Sequence, residues 1–378
     1  MPATAVLAFV VCAGIYCVLV VVAARSYLAQ PRPALRRPVP ISVLRPLAGA
    51  EEGLEENLRS YFRQQYPEFE ILAAVHTPDD PAGAVFERVR AEFPHVPARL
   101  IVTGEPPYPN AKVFSLATML AAARYDLIVM ADSDTRAAPD TLQALAAEFE
   151  DPHLGVATCP YRAVPGPSFW SVLEALGMNT ELLAGLLVAR MLEGVRFAVG
   201  PTIAARRRAL EAIGGFDRLK QYLAEDFMMG KLVAEAGWGV ILSRTLIEHH
   251  IGAQPLGANF RHRLRWARST RRSRPWGYLG QLFTYPLPLA LIALAAAPCY
   301  WPAALGAILL RAAAAWATAG WVLGDSLTAR RWPLLPLQDI LSFLFWCAGL
   351  FGSTITWRGR RYRLLRDGRF ELLEKREG

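Results

Sequence analysis

The sequence predicts an α/β protein: a Rossmann-like, doubly wound, mostly parallel sheet with N-terminal and C-terminal transmembrane helices. Three observations predict it. Apolar strand-like runs alternate with helix-like segments between Ile41 and Ala131, the pattern of a parallel sheet. One run, Leu127–Ala131, stops abruptly at Asp132-Ser133-Asp134, and carboxylates at the carboxyl end of a parallel strand lie where open α/β sheets bind ligands. The apolar residues, 53% of the chain with a mean hydropathy of +0.22, are concentrated at the two ends, a membrane pattern.

Taken in order, Ala3–Ala24 is an uncharged run of 22 residues, long enough to span a bilayer. No basic residue precedes it and it exceeds the apolar core of a typical signal peptide, so residues 1–30 read as a signal anchor. Arg32, Arg36 and Arg37 follow it, which places the amino terminus outside and the next domain in the cytoplasm. Residues 31–40 carry four prolines and form a stiff linker. Strands are then expected at Ile41–Leu44, Phe69–His76, Ala98–Val102 and Leu127–Ala131. Helices are expected at Glu52–Gln65, Ala82–Phe93, Ala111–Ala123 and Pro139–Phe149. Further strands fall at Gly155–Cys159, Phe197–Ala204 and Trp238–Leu242, with helices at Arg206–Ile213 and, headed by Leu223–Phe227, running to Ala236. Phe169–Leu192 is a long helix whose Glu181 and Arg190, with Glu193 beyond, argue for a buried or interfacial place rather than a span. Together 41–275 read as one cytoplasmic domain.

Residues 276–357 hold three candidate spans, Leu282–Trp301, Pro302–Leu323 and Leu334–Thr356, followed by a basic tail at 358–378. Arg311 and Asp339 fall within these spans, and intramembrane charges face protein or water. Three spans put the tail outside, whereas its basic character argues for inside. A re-entrant segment would reconcile the two.

Net charge is +8 with pI near 9.4, but the arginines are clustered, seven of them between Arg261 and Arg274. Basic clusters beside apolar spans suit a cytoplasmic membrane face and anionic headgroups. Nucleic acid is excluded as a partner because no recognised nucleic-acid-binding signature accompanies the charge. The five cysteines show neither zinc-ligand spacing nor a disulfide framework.

Asp132 and Asp134, on alternate positions, can reach a divalent cation that bridges nucleotide phosphates; the competing reading makes them caps of the helix that follows. Asp226 is a candidate base or an N-cap. His262-Arg-Leu-Arg-Trp266 offers guanidiniums to a diphosphate, or is a basic membrane-surface helix.

An aspartate after the second strand, Asp-x-Asp, a later Glu-Asp and Arg-Trp together resemble inverting family-2-like glycosyltransferases of GT-A fold. More closely, the chain resembles the ceramide glucosyltransferase family. The matching pieces are Ser42-Val-Leu-Arg-Pro-Leu-Ala-Gly49, Asp79-Asp-Pro-Ala82, Pro109-Asn-Ala-Lys112, Tyr125-Asp-Leu-Ile128, Ala224-Glu-Asp226 and Thr356-Trp-Arg-Gly-Arg-Arg-Tyr-Arg-Leu364. They keep family order across nearly the whole chain. The resemblance implies a UDP-sugar donor, Mg²⁺ or Mn²⁺, a membrane-lipid acceptor and a multi-pass protein of the bacterial inner membrane.

Residue by residue, it implies that Asp226 is the base, with Glu225 beside it. It places Asp80 near the uridine and Asp132 near the sugar diphosphate, with Arg45, Pro46 and Lys112 in the nucleotide-sugar set. Asp132 and Asp134 would hold the metal, with His249 or His250 as a third ligand or else as strand-edge histidines. Arg265 and Trp266 match the end of the Gln/Arg-x-x-Arg-Trp motif, while His262 departs from its first position. The stretches Asn110–Leu116, Leu192–Pro201 and Arg263–Arg274 resemble the hopanoid-associated branch, which implies N-acetylglucosamine passed to a hopanoid polyol; glucose passed to ceramide is the alternative. A processive polysaccharide synthase and a non-catalytic membrane scaffold are the rival readings.

Overall fold

The computed structural model describes residues 3–357 and 360–373. The chain divides into two compact units, one made of Pro31–Val164 and Val195–Gly252, the other of Met1–Gln30, Pro165–Gly194 and Ala253–Gly378. The first unit is thus smaller than the single 41–275 domain read from the sequence.

That first unit is built on a seven-stranded sheet. Its strands are β1 (Ile41–Pro46), β2 (Phe69–Val75), β3 (Ala98–Val102), β4 (Leu127–Ala131), β6 (Leu154–Thr158), β8 (Thr202–Arg206) and β9 (Gly239–Leu242). A smaller sheet joins β5 (Thr135–Arg136), β7 (Tyr161–Pro165) and β10 (Ile247–Ile251). The order in the large sheet is β3-β2-β1-β4-β8-β6-β9. The strands β3, β2, β1 and β4 are mutually parallel, and β8 runs antiparallel between β4 and β6.

From β1 the chain moves outward through β2 to β3, then returns to the other side of β1 as β4. This reversal makes the carboxyl ends of β1 and β4 a topological switch point, where open α/β sheets place their ligands. The sequence foresaw β3 and β4 to the residue because their apolar runs have abrupt ends. It began β8 five residues early and ended it two early. Phe197–Pro201 is apolar enough to read as strand, but Gly200 has φ +87° and breaks the extended run.

The helices end where their caps dictate. Asp80 accepts from Ala82 N at 2.9 Å and opens Pro81–Glu92, with proline at the first helical position, where its missing N–H costs nothing. Asn110 accepts from Val113 N at 3.1 Å and opens Ala111–Ala122. That helix lays Val113, Leu116 and Met119 against Leu72, Ile128 and Met130 of the sheet. The helix Glu225–Glu235 packs so closely that a Cβ on Gly230 would lie 2.1 Å from Ala198 N and 2.3 Å from Phe197 C. Backbone cannot swing away as a side chain can. Gly230→Ala is therefore expected to destabilise this unit by about 1–3 kcal/mol or more, read as a lowered melting temperature of the purified protein.

Among the described residues of the second unit, three helices are long and apolar enough to cross a membrane: Ala5–Leu28, Phe169–Glu193 and Pro298–Val322. Phe169–Glu193, read from its charges as buried or interfacial, passes for a span by length and composition and is largely buried inside the protein. It runs on through a π-helical turn at Met178–Leu182 and buries Asn179 and Thr180. The expected span Leu282–Trp301 is broken. Pro275–Thr284 and Pro286–Ala296 meet at 64°, because Pro286 removes a helix donor and disfavours helical dihedrals at Tyr285. Leu334–Thr356 is not one span either: its helix, Leu335–Gly349, has 15 residues. Gly352 then adopts φ +74°, and the chain enters β11 (Thr354–Trp357), paired with β12 (Arg360–Leu364), which pairs with β13 (Phe370–Leu372). Part of the basic tail is therefore sheet; Arg358, Gly359 and 374–378 lie outside the described residues. The two intramembrane charges flagged in the sequence meet each other, Arg311 donating to both carboxylate oxygens of Asp339 at 2.7 and 2.9 Å.

Candidate active site

The first unit gathers three of the predicted carboxylates around one ammonium. Lys112, in the first turn of Ala111–Ala122, stands 2.7 Å from Asp132 Oδ1 and 3.1 Å from Glu225 Oε1. These groups line one pocket together with Asp226, Gly200 and Met130. Burial opposes the Lys112 charge, but Asp132, Glu225 and Asp226 outweigh it and hold the ammonium above its ordinary range. Asp132 is raised: burial dominates, Lys112 relieves part of the rise, and the like charges of Asp134 and Glu225 add to it.

Asp226 does not cap its helix. Ala224 is the N-cap, and the Asp226 carboxylate instead accepts from Gly200 N at 3.0 Å and from its neighbour Phe227 N at 2.7 Å. Burial, then the adjacent Glu225, push it up to about 6, with Lys112 and the two N–H bonds restraining the rise. A carboxylate poised near 6 is ionised at neutral pH and still basic enough to take a proton. Gly200, which the sequence reading missed, is the residue that aims it. Its positive φ and the Tyr161 ring 2.9 Å from a would-be Cβ leave room for glycine alone.

Asp132 and Asp134 do not cap the following helix either. That helix is Thr141–Glu148, with Asp140 at its N-cap. The Asp132–Thr135 turn is instead tied to the small sheet, where Thr135 pairs with His249. His249 Nε2 lies 3.0 Å from Asp134 Oδ2. Successive residues of a strand face opposite ways, so His250 turns from Asp134 and bonds Glu248 Oε2 at 3.0 Å. Glu248 falls to about 2, chiefly through that bond and against its burial, with Arg162 assisting. His250 is thus engaged elsewhere. Asp134 itself is lowered: burial opposes its charge, and His249, with Lys112 and Arg45, together outweigh it.

Among the described residues no group of three or more His, Cys, Asp or Glu forms a ready-made metal cage. One observation nevertheless fits a cation: Asp134 Oδ1 is buried with no hydrogen-bond partner. A hard divalent ion needs only one or two such carboxylates when substrate phosphates complete its shell.

The remaining expected residues are placed as follows. Asp80, half-buried after β2, accepts at Oδ1 from Gly49 N at 2.9 Å as well as from its own helix, so it pins the Leu47–Gly53 loop. Pro46 ends β1. Arg45 is fully buried, with its guanidinium on Thr135 Oγ1 at 2.9 Å. His262, Arg265 and Trp266 lie in the second unit, on the helix Leu256–Ser273. There His262 Nδ1 is 2.7 Å from Glu174 Oε1, the His262 and Trp266 rings are 5.0 Å apart, and Arg265 stands over Trp357 at 6.0 Å. Glu174 was not singled out in the sequence. Its buried carboxylate also takes Asn259 Nδ2 at 2.6 Å.

The fold is similar to that of the mannosyltransferase PcManGT from Pyrobaculum calidifontis in complex with GDP-Man and Mn²⁺, with TM-score 0.53 and 20% identity over 90% of this chain and 98% of that one. The α/β unit is accordingly GT-A-like. In sequence the chain is 29% identical to ceramide glucosyltransferase 1 of Caenorhabditis elegans over 54% of this chain and 44% of that protein. It is 22% identical to the ceramide glucosyltransferase of Pyricularia oryzae over 91% and 89%. The chain thus spans less than half the length of the Caenorhabditis relative it matches. The family model for glycosyl transferase family 21 matches residues 4–370, and the chain belongs to that family.

Proposed function

We propose that this chain is an inverting membrane glycosyltransferase that moves one sugar from a UDP-sugar to a hydroxyl of a membrane lipid. The observation that carries the proposal is the convergence of Asp226, Lys112 and Asp132 on one pocket at the sheet's switch point. Asp226 takes the proton of the acceptor hydroxyl. The oxygen attacks the anomeric carbon from the face opposite the diphosphate, and the bond to UDP breaks with its electron pair on the diphosphate. Lys112 supplies a fixed positive charge for the departing phosphates. Asp134 and Asp132, with His249 beside them, would hold Mg²⁺ or Mn²⁺. When bound, the ion neutralises charge on the leaving diphosphate.

The names of the curated relatives favour glucose and ceramide. The hopanoid-like stretches favour N-acetylglucosamine and a hopanoid polyol, and that acceptor class remains part of the proposal. The unit carrying Asp226 is placed on the cytoplasmic side of a bacterial inner membrane, in accord with the arginines after the first span.

The test is label transfer from UDP-glucose or UDP-N-acetylglucosamine to ceramide or hopanoid polyol by detergent-purified protein. Label in one lipid, with one sugar per lipid, is expected; a polymer would establish a processive synthase. UDP release without lipid label would discard both acceptors, and neither release nor transfer would discard catalysis. A UDP-sugar does not cross a bilayer, so sealed inside-out vesicles should show transfer and intact spheroplasts should not.

A further inference from the structure

We propose that Arg45 is a positioning residue that sets the Asp132–Thr135 turn from beneath, with Tyr61 and Thr135 as its relay. Arg45 occupies the end of β1 and is 0% exposed. Burying a guanidinium is costly unless its donors are met. Here Nη1 donates to Thr135 Oγ1 at 2.9 Å and Nη2 reaches toward Ser133 O at 3.4 Å. The guanidinium also lies 4.2 Å from the centre of the Tyr61 ring.

Thr135 completes the device. A hydroxyl has one proton to give and two lone pairs to offer, and all three are used. Oγ1 donates to Asp132 O at 2.6 Å, accepts from Arg45, and takes the Tyr61 hydroxyl at 3.1 Å. Tyr61 is steadied in turn by Thr202 Oγ1 at 3.4 Å. Asn57 Nδ2 gives Ser133 O a second donor at 3.1 Å. The carbonyls of Asp132 and Ser133 are thereby held from the buried side, which fixes the direction in which the Asp132 and Asp134 carboxylates leave the turn.

If Arg45 only filled space, an apolar side chain of similar volume would do as well or better, since buried charges are often replaced at no loss of stability. A guanidinium holds its donors in a rigid planar fork that engages two turn groups in one fixed geometry, whereas an ammonium is a compact charge with rotating donors on a flexible stem. Arg45→Lys should therefore fail to substitute although it keeps the charge. Groups that orient metal-binding side chains contribute 10–100-fold, as order of magnitude, to affinity.

This inference rests on the metal reading above. The experiment measures Mn²⁺ binding by the loss of its free-ion electron paramagnetic resonance signal, with and without UDP. Wild type is compared with Arg45→Lys, Arg45→Met and Thr135→Val, with melting curves in parallel. The expected result is Mn²⁺ affinity weakened about 10–100-fold in all three, and kcat lowered with acceptor KM unchanged. Thr135→Val retains Arg45 and so decides the matter if the Arg45 variants fail to fold. Native Mn²⁺ affinity in Thr135→Val, or in a folded Arg45→Lys, would overturn the positioning role while leaving the metal reading in place. A wild type that binds no Mn²⁺ in either arm would overturn both.

Discussion

Asp226→Asn is expected to lower kcat by about 10²–10⁴-fold, the range a positioned general base contributes, with donor binding largely kept. The amide cannot take the acceptor's proton, yet it has nearly the shape of the carboxylate that sits on Gly200 N and Phe227 N. In the wild type kcat should fall as pH drops through about 6, because protonation removes the base. The variant's residual rate should lack that limb. Stability supplies an independent check. The folded pKa of Asp226 lies above its unfolded value, so the folded state holds this proton more tightly. The wild type therefore loses stability relative to the variant as pH rises from about 4 to about 6, and the difference is constant above that. Between pH 4 and pH 8 the comparison should shift in favour of Asp226→Asn by about 1–3 kcal/mol, read from melting curves at both values. A pH-independent stability difference, or turnover left intact, would remove Asp226 from the role of base.

Asp134→Ala is expected to lower kcat/KM by about 10²–10⁴-fold, equivalent to the several kcal/mol a bound cation contributes to a departing diphosphate. The reason is local. Asp134 brings a buried oxygen without a donor, and its other oxygen faces His249. Chelation with EDTA should reproduce the loss in the wild type, and added Mn²⁺ should restore the wild type but not the variant. A variant rescued at the wild-type Mn²⁺ concentration would show that Asp132 suffices and that Asp134 serves only the turn.

The contrast between Asp226 and Arg45 shows what was legible in the chain. Asp226, Asp132, Asp134 and Lys112 stand in short motifs whose residue types already imply proton transfer and phosphate neutralisation. Their convergence needs only the alternation of strands and helices that the sequence displays. Arg45 was legible as part of Ser42–Gly49 but not in its role. Nothing in a linear string shows that an arginine in β1 points under a turn 87 residues later rather than toward solvent, and burial settles that. Gly200 and Glu174 were missed for a similar reason. One is needed for a backbone dihedral, and the other gains its partners from residues 85 and 88 positions away.

By itself the sequence determined the α/β unit, because strand period, cap residues and abrupt carboxyl ends act over a few residues. It also determined, by length and composition, the long apolar helices that match Ala3–Ala24 and Pro302–Leu323. Tertiary structure alone decided which histidine meets Asp134, since strand alternation sends His249 and His250 to opposite faces. It alone decided where the apolar segments bend or stop, since prolines and a left-handed glycine override hydropathy. And it alone raised Asp226 to about 6, because a pKa follows from desolvation and neighbouring charge, which exist only once distant segments are packed together.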